Sequence, residues 1–182
     1  MTTTDGGGTV DAVVIGAGFA GIHLVHRLRQ EGFTTRAFES GGDVGGTWYW
    51  NRYPGARCDV ESLHYCYFFD ENLVRDWQWT ERFATQPEIL RYLNWVVDRL
   101  DVRSAFTFDT RVAGASYDEK SATWLVSTET GEVVRARFLI PAVGALSAAS
   151  IPQLPGAERF RGRTLHSGSW PHEPVILAGQ RV

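Results

Sequence analysis

Three glycines in this chain of 182 residues have the spacing of a phosphate-binding turn. Gly16, Gly18 and Gly21 form the pattern G-x-G-x-x-G. In such a turn the first glycine permits a tight bend, the second leaves room for a pyrophosphate beside the backbone, and the third lets a helix pack closely on a strand. The phosphates then lie at a helix N-terminus, where free N–H groups and the helix dipole favour negative charge. The pattern alone is not specific, so the residues around it must show whether the turn belongs to a dinucleotide-binding site.

The residues on both sides of the turn predict the elements that such a site requires. Residues 13–15 are an apolar run suited to a buried strand. An apolar stripe marks the helix that follows, formed by Ile22, Leu24, Val25 and Leu28. Gly32 ends that helix, and residues 34–38 form a second strand before Glu39. A carboxylate at this point can accept hydrogen bonds from the hydroxyls of an adenosine ribose. The complete context favours a dinucleotide-binding site over a purely structural turn.

A second segment, residues 40–67, is rich in both glycine and aromatic residues. Gly45 and Gly46 allow close approach to a backbone, and the aromatic side chains could form walls around a flat, largely apolar molecule. The alternative is an aromatic-rich loop that only packs in the core. Arg57 and Asp59 place two charges inside this cluster, which favours a site over the packing loop.

The composition excludes several classes of protein. The length suffices for one domain with a sizeable core, and 43% of the residues are apolar, but no apolar run is long enough to span a membrane. The first nine residues, MTTTDGGGT, lack the basic and apolar regions of a signal peptide and are expected to form a disordered tail. The net charge of −3 argues against a nucleic-acid or anionic-membrane partner.

Neither the cysteines nor the histidines form a pattern for metal or redox chemistry. Cys58 and Cys66 lack a C-x-x-C pairing, which favours free thiols in a reducing compartment. The five histidines have no metal-ligand spacing with cysteines or acidic residues. The sequence therefore predicts a cytoplasmic protein without a metal site.

The middle of the chain predicts an irregular segment, a helix and several strands. Residues 70–84 are polar and are expected to form a loop or short turns. Helical apolar spacing then runs from Gln86 to about Leu100. From Ala105 the apolar period changes to two and continues to Ile140, which predicts a small β-meander inserted in the dinucleotide-binding domain. The predicted fold class is α/β, a Rossmann-like domain with a parallel sheet, helices and this inserted meander.

The last forty residues contain a linker and a second motif. The segment after Ile140 is rich in Gly, Ala, Ser and Pro. Further on, five residues stand in the pattern F-x-G-x-x-x-H-x-x-x-W-P, namely Phe160, Gly162, His166, Trp170 and Pro171. The predicted organisation is a tail over residues 1–9, a dinucleotide-binding domain over 10–150, a linker over 151–178, and the lead into another strand over 179–182.

These motifs give the chain a resemblance to a known family. The GAGFAG turn with its acidic second strand is similar to that of two-dinucleotide flavoproteins, and F-x-G-x-x-x-H-x-x-x-W-P matches the fingerprint of the type I Baeyer–Villiger monooxygenases. The loop GDVGGTWYWNRYPGARCDVES resembles theirs too, most of all in the phenylacetone and steroid monooxygenase branch. The likeness covers nearly all of residues 10–182. It is specific, because related flavin monooxygenases carry a basic residue where Pro171 stands.

The resemblance implies a role for individual residues. FAD phosphates would lie at the turn formed by Gly16, Gly18, Phe19, Ala20 and Gly21, with the ribose on Glu39. The other cofactor-binding positions that it implies are Gly46, Thr47, Trp48, Tyr49, Trp50, Arg57, Cys58, Asp59, Tyr65 and Val112. Within that set, residues 47–50 would line the flavin, residues 57–59 would border the nicotinamide, and Val112 would contact adenine. Asp59 would orient an arginine that stabilises a flavin peroxide, and His166 would couple domain motion to NADPH use.

The resemblance also implies a reaction and marks what these 182 residues do not include. The implied enzyme uses FAD, NADPH and dioxygen to convert ketones to esters or lactones through a flavin C4a-peroxide. A second G-x-G-x-x-G for NADPH, the arginine and the substrate-lining part are expected beyond Val182, so the chain alone is expected to be inactive. The alternatives are a non-catalytic FAD-binding module, and a flavin monooxygenase that oxidises nitrogen or sulfur. Trp170 and Pro171 argue against the latter.

Overall fold

The computed structural model describes residues 9–182. Within that range the chain forms six strands and four α-helices, in the order β1 (Val10–Ile15), α1 (Phe19–Gln30), β2 (Thr35–Phe38), α2 (Thr47–Trp50), α3 (Glu71–Asp76), α4 (Gln86–Arg99), β3 (Phe106–Thr107), β4 (Val112–Asp118), β5 (Thr123–Thr128) and β6 (Val133–Pro141). The tail predicted over residues 1–9 lies outside the described residues, apart from Thr9. The division into a domain, a linker and the start of another domain stays a prediction.

All six strands of the described chain belong to one sheet, in the order β3-β2-β1-β6-β5-β4. The pairs β3–β2, β2–β1 and β1–β6 are parallel, whereas β6–β5 and β5–β4 are antiparallel. This confirms the predicted α/β Rossmann-like class. The meander of β4, β5 and β6 belongs to the same sheet, because β6 both completes it and lies beside β1 in the centre of the sheet. Apolar period reports which face of a strand is buried and does not identify its neighbour, so the sequence left the position of β6 open.

The larger core cluster joins the helices to the loops that follow β1 and β2. It includes Ile22 and Val25 of α1 and Ile89, Leu93 and Val96 of α4, all of them fully buried. A smaller cluster of Val13, Phe38, Val126, Val134 and Ala136 joins β1, β2, β5 and β6. The helix predicted from Gln86 is confirmed, with Thr85 at its N-cap position and Pro87 in its first turn.

One helix lies where irregular structure was predicted. Helix α3 is short, and its cap is Asp70, whose carboxylate accepts a hydrogen bond from the Asn72 N–H at 2.8 Å. Leu73 is the buried side chain of this helix. A single buried position cannot produce a detectable apolar period, which is why the helix was missed.

Beyond β6 the described chain contains turns and two one-turn 3-10 helices, Ala157–Arg159 and Ser167–Ser169. Residues 179–182 of the described chain form no strand themselves, and their role as the lead into another strand stays a prediction.

Candidate dinucleotide-binding site

The glycine turn joins β1 to α1, and two of its glycines are required by the packing of the protein itself. Gly16 has a φ of +106°, and a Cβ on it would lie 2.6 Å from the carbonyl oxygen of Ala142. A Cβ on Gly21 would overlap the carbonyl oxygen of Gly16. Any larger residue at either position must therefore displace the backbone where β1, α1 and the end of β6 meet.

Gly18 is different, because the protein alone leaves room for a side chain there. Its φ of −82° is open to every residue, and a Cβ would lie 3.5 Å from the Cα of Gly46, an ordinary contact distance. Gly46 faces it from the loop before α2, with a φ of +52°. We call the space between Gly18 and Gly46 the glycine cradle. The packing of the protein itself does not require glycine at position 18, so the absence of a side chain there points to a ligand.

The N-terminus of α1 opens into this cradle without a cap. Within the described chain no side chain caps the helix, and its first turn carries no acidic residue. The first N–H groups of a helix have no partner inside the helix, and their partial positive charge favours an anion. Phe19, Ala20 and Gly21 form this first turn. The arrangement is suited to a pyrophosphate.

Glu39 lies at the end of β2, and its side chain holds the turn in place. The carboxylate is buried, with 5% of the residue exposed, and accepts hydrogen bonds from the N–H groups of Ala17 and Gly41, both at 2.7 Å. A carboxylate oxygen has more than one acceptor site, so these bonds leave capacity for a ribose hydroxyl. The ribose contact of Glu39 stays a prediction, and its structural role is an addition to it.

We expect Glu39→Ala to lower both stability and dinucleotide affinity. Removing the carboxylate leaves two buried N–H groups unpaired, which costs about 1–3 kcal/mol in the free energy of unfolding. Separately, the free energy of FAD binding should become less favourable by ~1.5–3 kcal/mol, the range for a hydrogen bond to a charged group. Chemical unfolding and FAD titration measure the two effects. Glu31→Ala, at the exposed end of α1, is the control and should change neither quantity. Wild-type affinity in Glu39→Ala would remove Glu39 from the site.

The aromatic residues of the second segment divide between core and surface. Trp48 is buried, and its Nε1 donates to the Tyr65 hydroxyl at 3.1 Å. Tyr67 is buried as well, and its hydroxyl donates to the carbonyl oxygen of Phe19 at 2.6 Å. Burial raises the pKa of Tyr65, which therefore stays neutral. The packing alternative thus accounts for Trp48 and Tyr67, whereas Trp50 remains 39% exposed.

Tyr49 connects three parts of the site. Its hydroxyl accepts a hydrogen bond from the N–H of Gly42 at 3.0 Å. The guanidinium of Arg52 lies 5.1 Å from the centre of its ring. His172 of the linker packs on the same ring, with centroids 5.1 Å apart, and on Trp50 at 5.7 Å. Helix α2 is therefore attached both to the loop after Glu39 and to the linker.

The two charges that the sequence places in this segment, Arg57 and Asp59, have different surroundings. Arg57 bonds to Glu81 at 2.5 Å and to the carbonyl oxygen of Phe83 at 2.7 Å. The cause is an isolated β-bridge between Arg57 and Thr85, which draws Arg57 towards residues 81–85. Asp59 is exposed, and its side chain makes no hydrogen bond or ion pair within residues 9–182. Arg57 and Asp59 therefore do not act together in this structure, and their place in a site stays a prediction.

Cys58 lies between these two charges but is buried. Its N–H donates to the carbonyl oxygen of Ala84 at 3.0 Å, and its Sγ accepts from the N–H of Val60 at 3.4 Å. Burial raises the pKa of its thiol, so Cys58 stays protonated near neutral pH. The residue thus serves packing, and its predicted contact with the nicotinamide stays a prediction.

Val112, the predicted adenine contact, begins β4 close to Glu39. The N–H of Thr110 donates to the carbonyl oxygen of Glu39 at 2.9 Å, and the N–H of Asp109 donates to that of Gly41 at 3.0 Å. These bonds place residues 109 and 110, which precede β4, beside the end of β2. Val112 thus follows directly on the residues bonded to the end of β2, and its contact with adenine stays a prediction.

The linker motif is only partly brought to this site. Phe160 is 64% exposed, and its ring covers Gly162. His166 accepts a hydrogen bond on Nδ1 from the N–H of Gly168 at 3.1 Å. Trp170 and Pro171 line a cavity of about 310 Å³ together with Arg52, Pro54, His172, Glu173, Pro174 and Val175. The sequence analysis missed His172, for which adjacency to the Trp-Pro pair was the available signal.

Two further properties concern the described residues as a whole. No group of three or more His, Cys, Asp or Glu side chains between residues 9 and 182 is placed to hold a metal ion. Over the same residues, none of the helices has the length and apolar character needed to cross a membrane.

Comparisons with known proteins identify relatives for almost the whole chain. A family model described as an NAD(P)-binding Rossmann-like domain matches residues 14–77. A Baeyer–Villiger monooxygenase of Pseudooceanicola batsensis is 52% identical over 177 residues, which cover 97% of this chain and 32% of the relative. A phenazine N-monooxygenase of Lysobacter antibioticus is 48% identical over 173 residues, covering 94% and 32%. Other relatives are named as FAD-binding monooxygenases.

Comparison of the fold with solved structures finds the same kind of relative as comparison of the sequence. The solved structure of an oxidized steroid monooxygenase bound to NADP matches with a TM-score of 0.86 and 52% identity, over 92% of this chain and 32% of that one. The chain thus spans about a third of the length of these relatives. In its sequence, its glycine turn and its sheet, the chain is similar to the matching third of Baeyer–Villiger and steroid monooxygenases.

Proposed function

We propose that this chain binds FAD and forms the FAD-binding part of an NADPH-dependent monooxygenase. The observation that carries the proposal is the uncapped N-terminus of α1 beside Gly18, a position where the packing of the protein itself does not require glycine. The N–H groups of the first turn would hold the pyrophosphate. Helix α2 follows directly from Gly46 and would adjoin the rest of the cofactor. Cys58 and Cys66 are both free, which fits the cytoplasmic location predicted from the sequence.

The site favours FAD over NADP, although the matching family model carries an NAD(P) description. The two cofactors share an ADP half, so the glycine turn does not discriminate between them. Glu39 does, because a buried carboxylate beside the ribose repels the 2′-phosphate of NADP. FAD has a free ribose hydroxyl at that position. Relatives named as FAD-binding monooxygenases support the same choice.

In the whole enzyme, FAD would supply the redox chemistry, accepting a hydride from NADPH and activating dioxygen. The net reaction converts a ketone, dioxygen, NADPH and a proton to an ester or lactone, NADP⁺ and water. The residues of this chain bind and orient the cofactor: the glycine cradle holds its phosphates, and Glu39 holds the turn. The ketone and the NADPH site belong to the part of the enzyme that these residues do not supply.

A second candidate function is oxidation of nitrogen. It is favoured by the phenazine N-monooxygenase that is 48% identical to this chain. Such a substrate is nucleophilic, whereas a ketone carbonyl is electrophilic. The two reactions therefore differ in the substrate and not in the demands on the FAD cradle. Product analysis of the whole enzyme with a ketone and with an aromatic nitrogen heterocycle separates them.

We expect the purified, cofactor-free chain to bind FAD and to bind NADP⁺ at least tenfold more weakly. Flavin fluorescence measures FAD binding, and competition by NADP⁺ measures the other affinity. Once loaded with FAD, the chain should oxidise NADPH no faster than free FAD does, because its sequence contains one G-x-G-x-x-G. Preferential binding of NADP⁺ would overturn the assignment of FAD. Saturable NADPH oxidation would overturn the assignment of a single dinucleotide site.

A further inference from the structure

A guanidinium outside the glycine cradle is bonded to the loop that forms one of its walls. Arg103 lies in the turn between α4 and β3. Its Nη1 bonds to the carboxylate of Asp43. Its Nε donates to Asp98 Oδ1 at 2.6 Å, and its Nη2 donates to Asn94 Oδ1 at 2.9 Å. All three nitrogens of the guanidinium thus have an acceptor.

Two of these acceptors fix the guanidinium relative to α4. Asn94 and Asp98 are four residues apart, so they lie one above the other on the same helix face. A planar guanidinium held at two nitrogens has little freedom at the third. The position of Nη1, and hence of Asp43, is therefore set by helix α4.

Asp43 transmits this constraint to Gly46. Its Oδ1 accepts a hydrogen bond from the N–H of Val44 at 2.7 Å, and Val44 is fully buried. The N–H of Gly45 then donates to the carbonyl oxygen of Ala17, inside the glycine turn, at 2.9 Å. The segment of residues 43–46 is thus held by Arg103 at one end and by the glycine turn at the other.

We propose that Arg103 is a positioning residue that, through Asp43, sets the place of Gly46 and with it the width of the glycine cradle. The proposal deepens the proposed function, on which its consequence for FAD rests. Arg103 acts on the cofactor through the loop. The competing view treats the bond to Asp43 as an ordinary surface ion pair, since Arg103 and Asp43 are 34% and 41% exposed. Such pairs contribute little, and losing one would leave Gly46 where it is.

Hydrogen exchange in the cofactor-free chain of 182 residues tests the positioning directly. We expect Arg103→Met to speed exchange at the amides of residues 44–47 by roughly tenfold, the change that corresponds to one lost charge-assisted hydrogen bond. Arg99→Met is the matched control. Arg99 lies at the same end of α4 and pairs with Asp76 of α3 at 2.6 Å, and this pair makes no bond to residues 43–46. The loss of Arg99 should leave the exchange rates of the amides of residues 44–47 unchanged.

FAD titration tests the consequence. Arg103→Met should raise the FAD Kd by about tenfold, Arg103→Lys by less, and Arg99→Met not at all. Asp43→Asn should raise it too, because it removes the charge of the ion pair. Combining it with Arg103→Met should add nothing, because Arg103→Met already removes the whole contact. Asp43→Asn also replaces Arg103→Met if the latter does not fold.

The outcomes separate this proposal from the function on which it rests. Unchanged exchange over residues 44–47 in Arg103→Met and Asp43→Asn would overturn the positioning role. Faster exchange with an unchanged FAD Kd would overturn the link to the cradle. Additive effects of the two substitutions would show that Arg103 does not act through Asp43. Failure of the wild-type chain to bind FAD would refute the proposed function, while the exchange measurement would still decide the role of Arg103.

Discussion

A Gly18→Val chain should fold like the parent and lose FAD. The backbone at Gly18 has a φ of −82°, and a Cβ there would make only an ordinary contact of 3.5 Å with the Cα of Gly46. The protein therefore tolerates the side chain, but the branched methyl groups would occupy the cradle. A pyrophosphate kept out of the cradle loses several charge-assisted hydrogen bonds, each contributing about 1.5–3 kcal/mol. Two such bonds correspond to a loss in affinity of roughly a hundredfold or more.

Two other glycines provide the controls for this experiment. Gly114 lies on the exposed strand β4, where a Cβ would be 3.7 Å from the Ser127 Oγ, so Gly114→Val should fold and keep FAD. Gly21→Ala should fail to fold, because its Cβ would overlap the backbone of Gly16. Circular dichroism and thermal unfolding report folding, and absorbance of the purified protein reports flavin. Full flavin content in Gly18→Val would place the cofactor elsewhere.

The parts of the fold that the sequence predicted are those in which local pattern determines structure. The glycine turn, α1 and α4 each follow from residues within one element, through glycine geometry and apolar spacing of 3.6. The place of β6 beside β1 depends on pairing between strands more than 120 residues apart, such as Val14 with Ile140. Helix α3 was missed because one buried leucine gives no period.

The candidate site shows the same limit at the level of side chains. Residue type predicted the glycines, since the positive φ of Gly16 and the contact of Gly21 with the Gly16 backbone lie within the turn itself. It did not predict that Arg57 would pair with Glu81, because a bridge to Thr85 decides that contact. The bond from Arg103 to Asp43 spans sixty positions and carries no motif. Aromatic composition likewise could not separate Trp48, which is buried, from Trp50, which is exposed.

The second large effect is expected at Asp59, in a longer monooxygenase that contains this segment together with the arginine implied by the family resemblance. Asp59→Ala should keep FAD and continue to oxidise NADPH, but form ester roughly 10²–10³ times more slowly. A cation placed beside a developing negative charge must be held before the reaction, and a carboxylate is its natural partner. Without Asp59 the arginine would be free to move, and reduced oxygen would be released as hydrogen peroxide.

The structure weakens the competing interpretation, in which Asp59 only caps the turn that follows it. The N–H of Val60 donates to Cys58 Sγ, and the 3-10 helix Ser62–His64 has no side-chain cap within the described chain. Loss of a cap would lower stability by about 1 kcal/mol and leave the ratio of ester to hydrogen peroxide unchanged. Glu61→Ala is the matched control, since this nearby carboxylate pairs with Arg82. If Asp59→Ala and Glu61→Ala give the wild-type ratio alike, Asp59 has no part in holding the arginine. A fall in the ratio confined to Asp59→Ala assigns it that role.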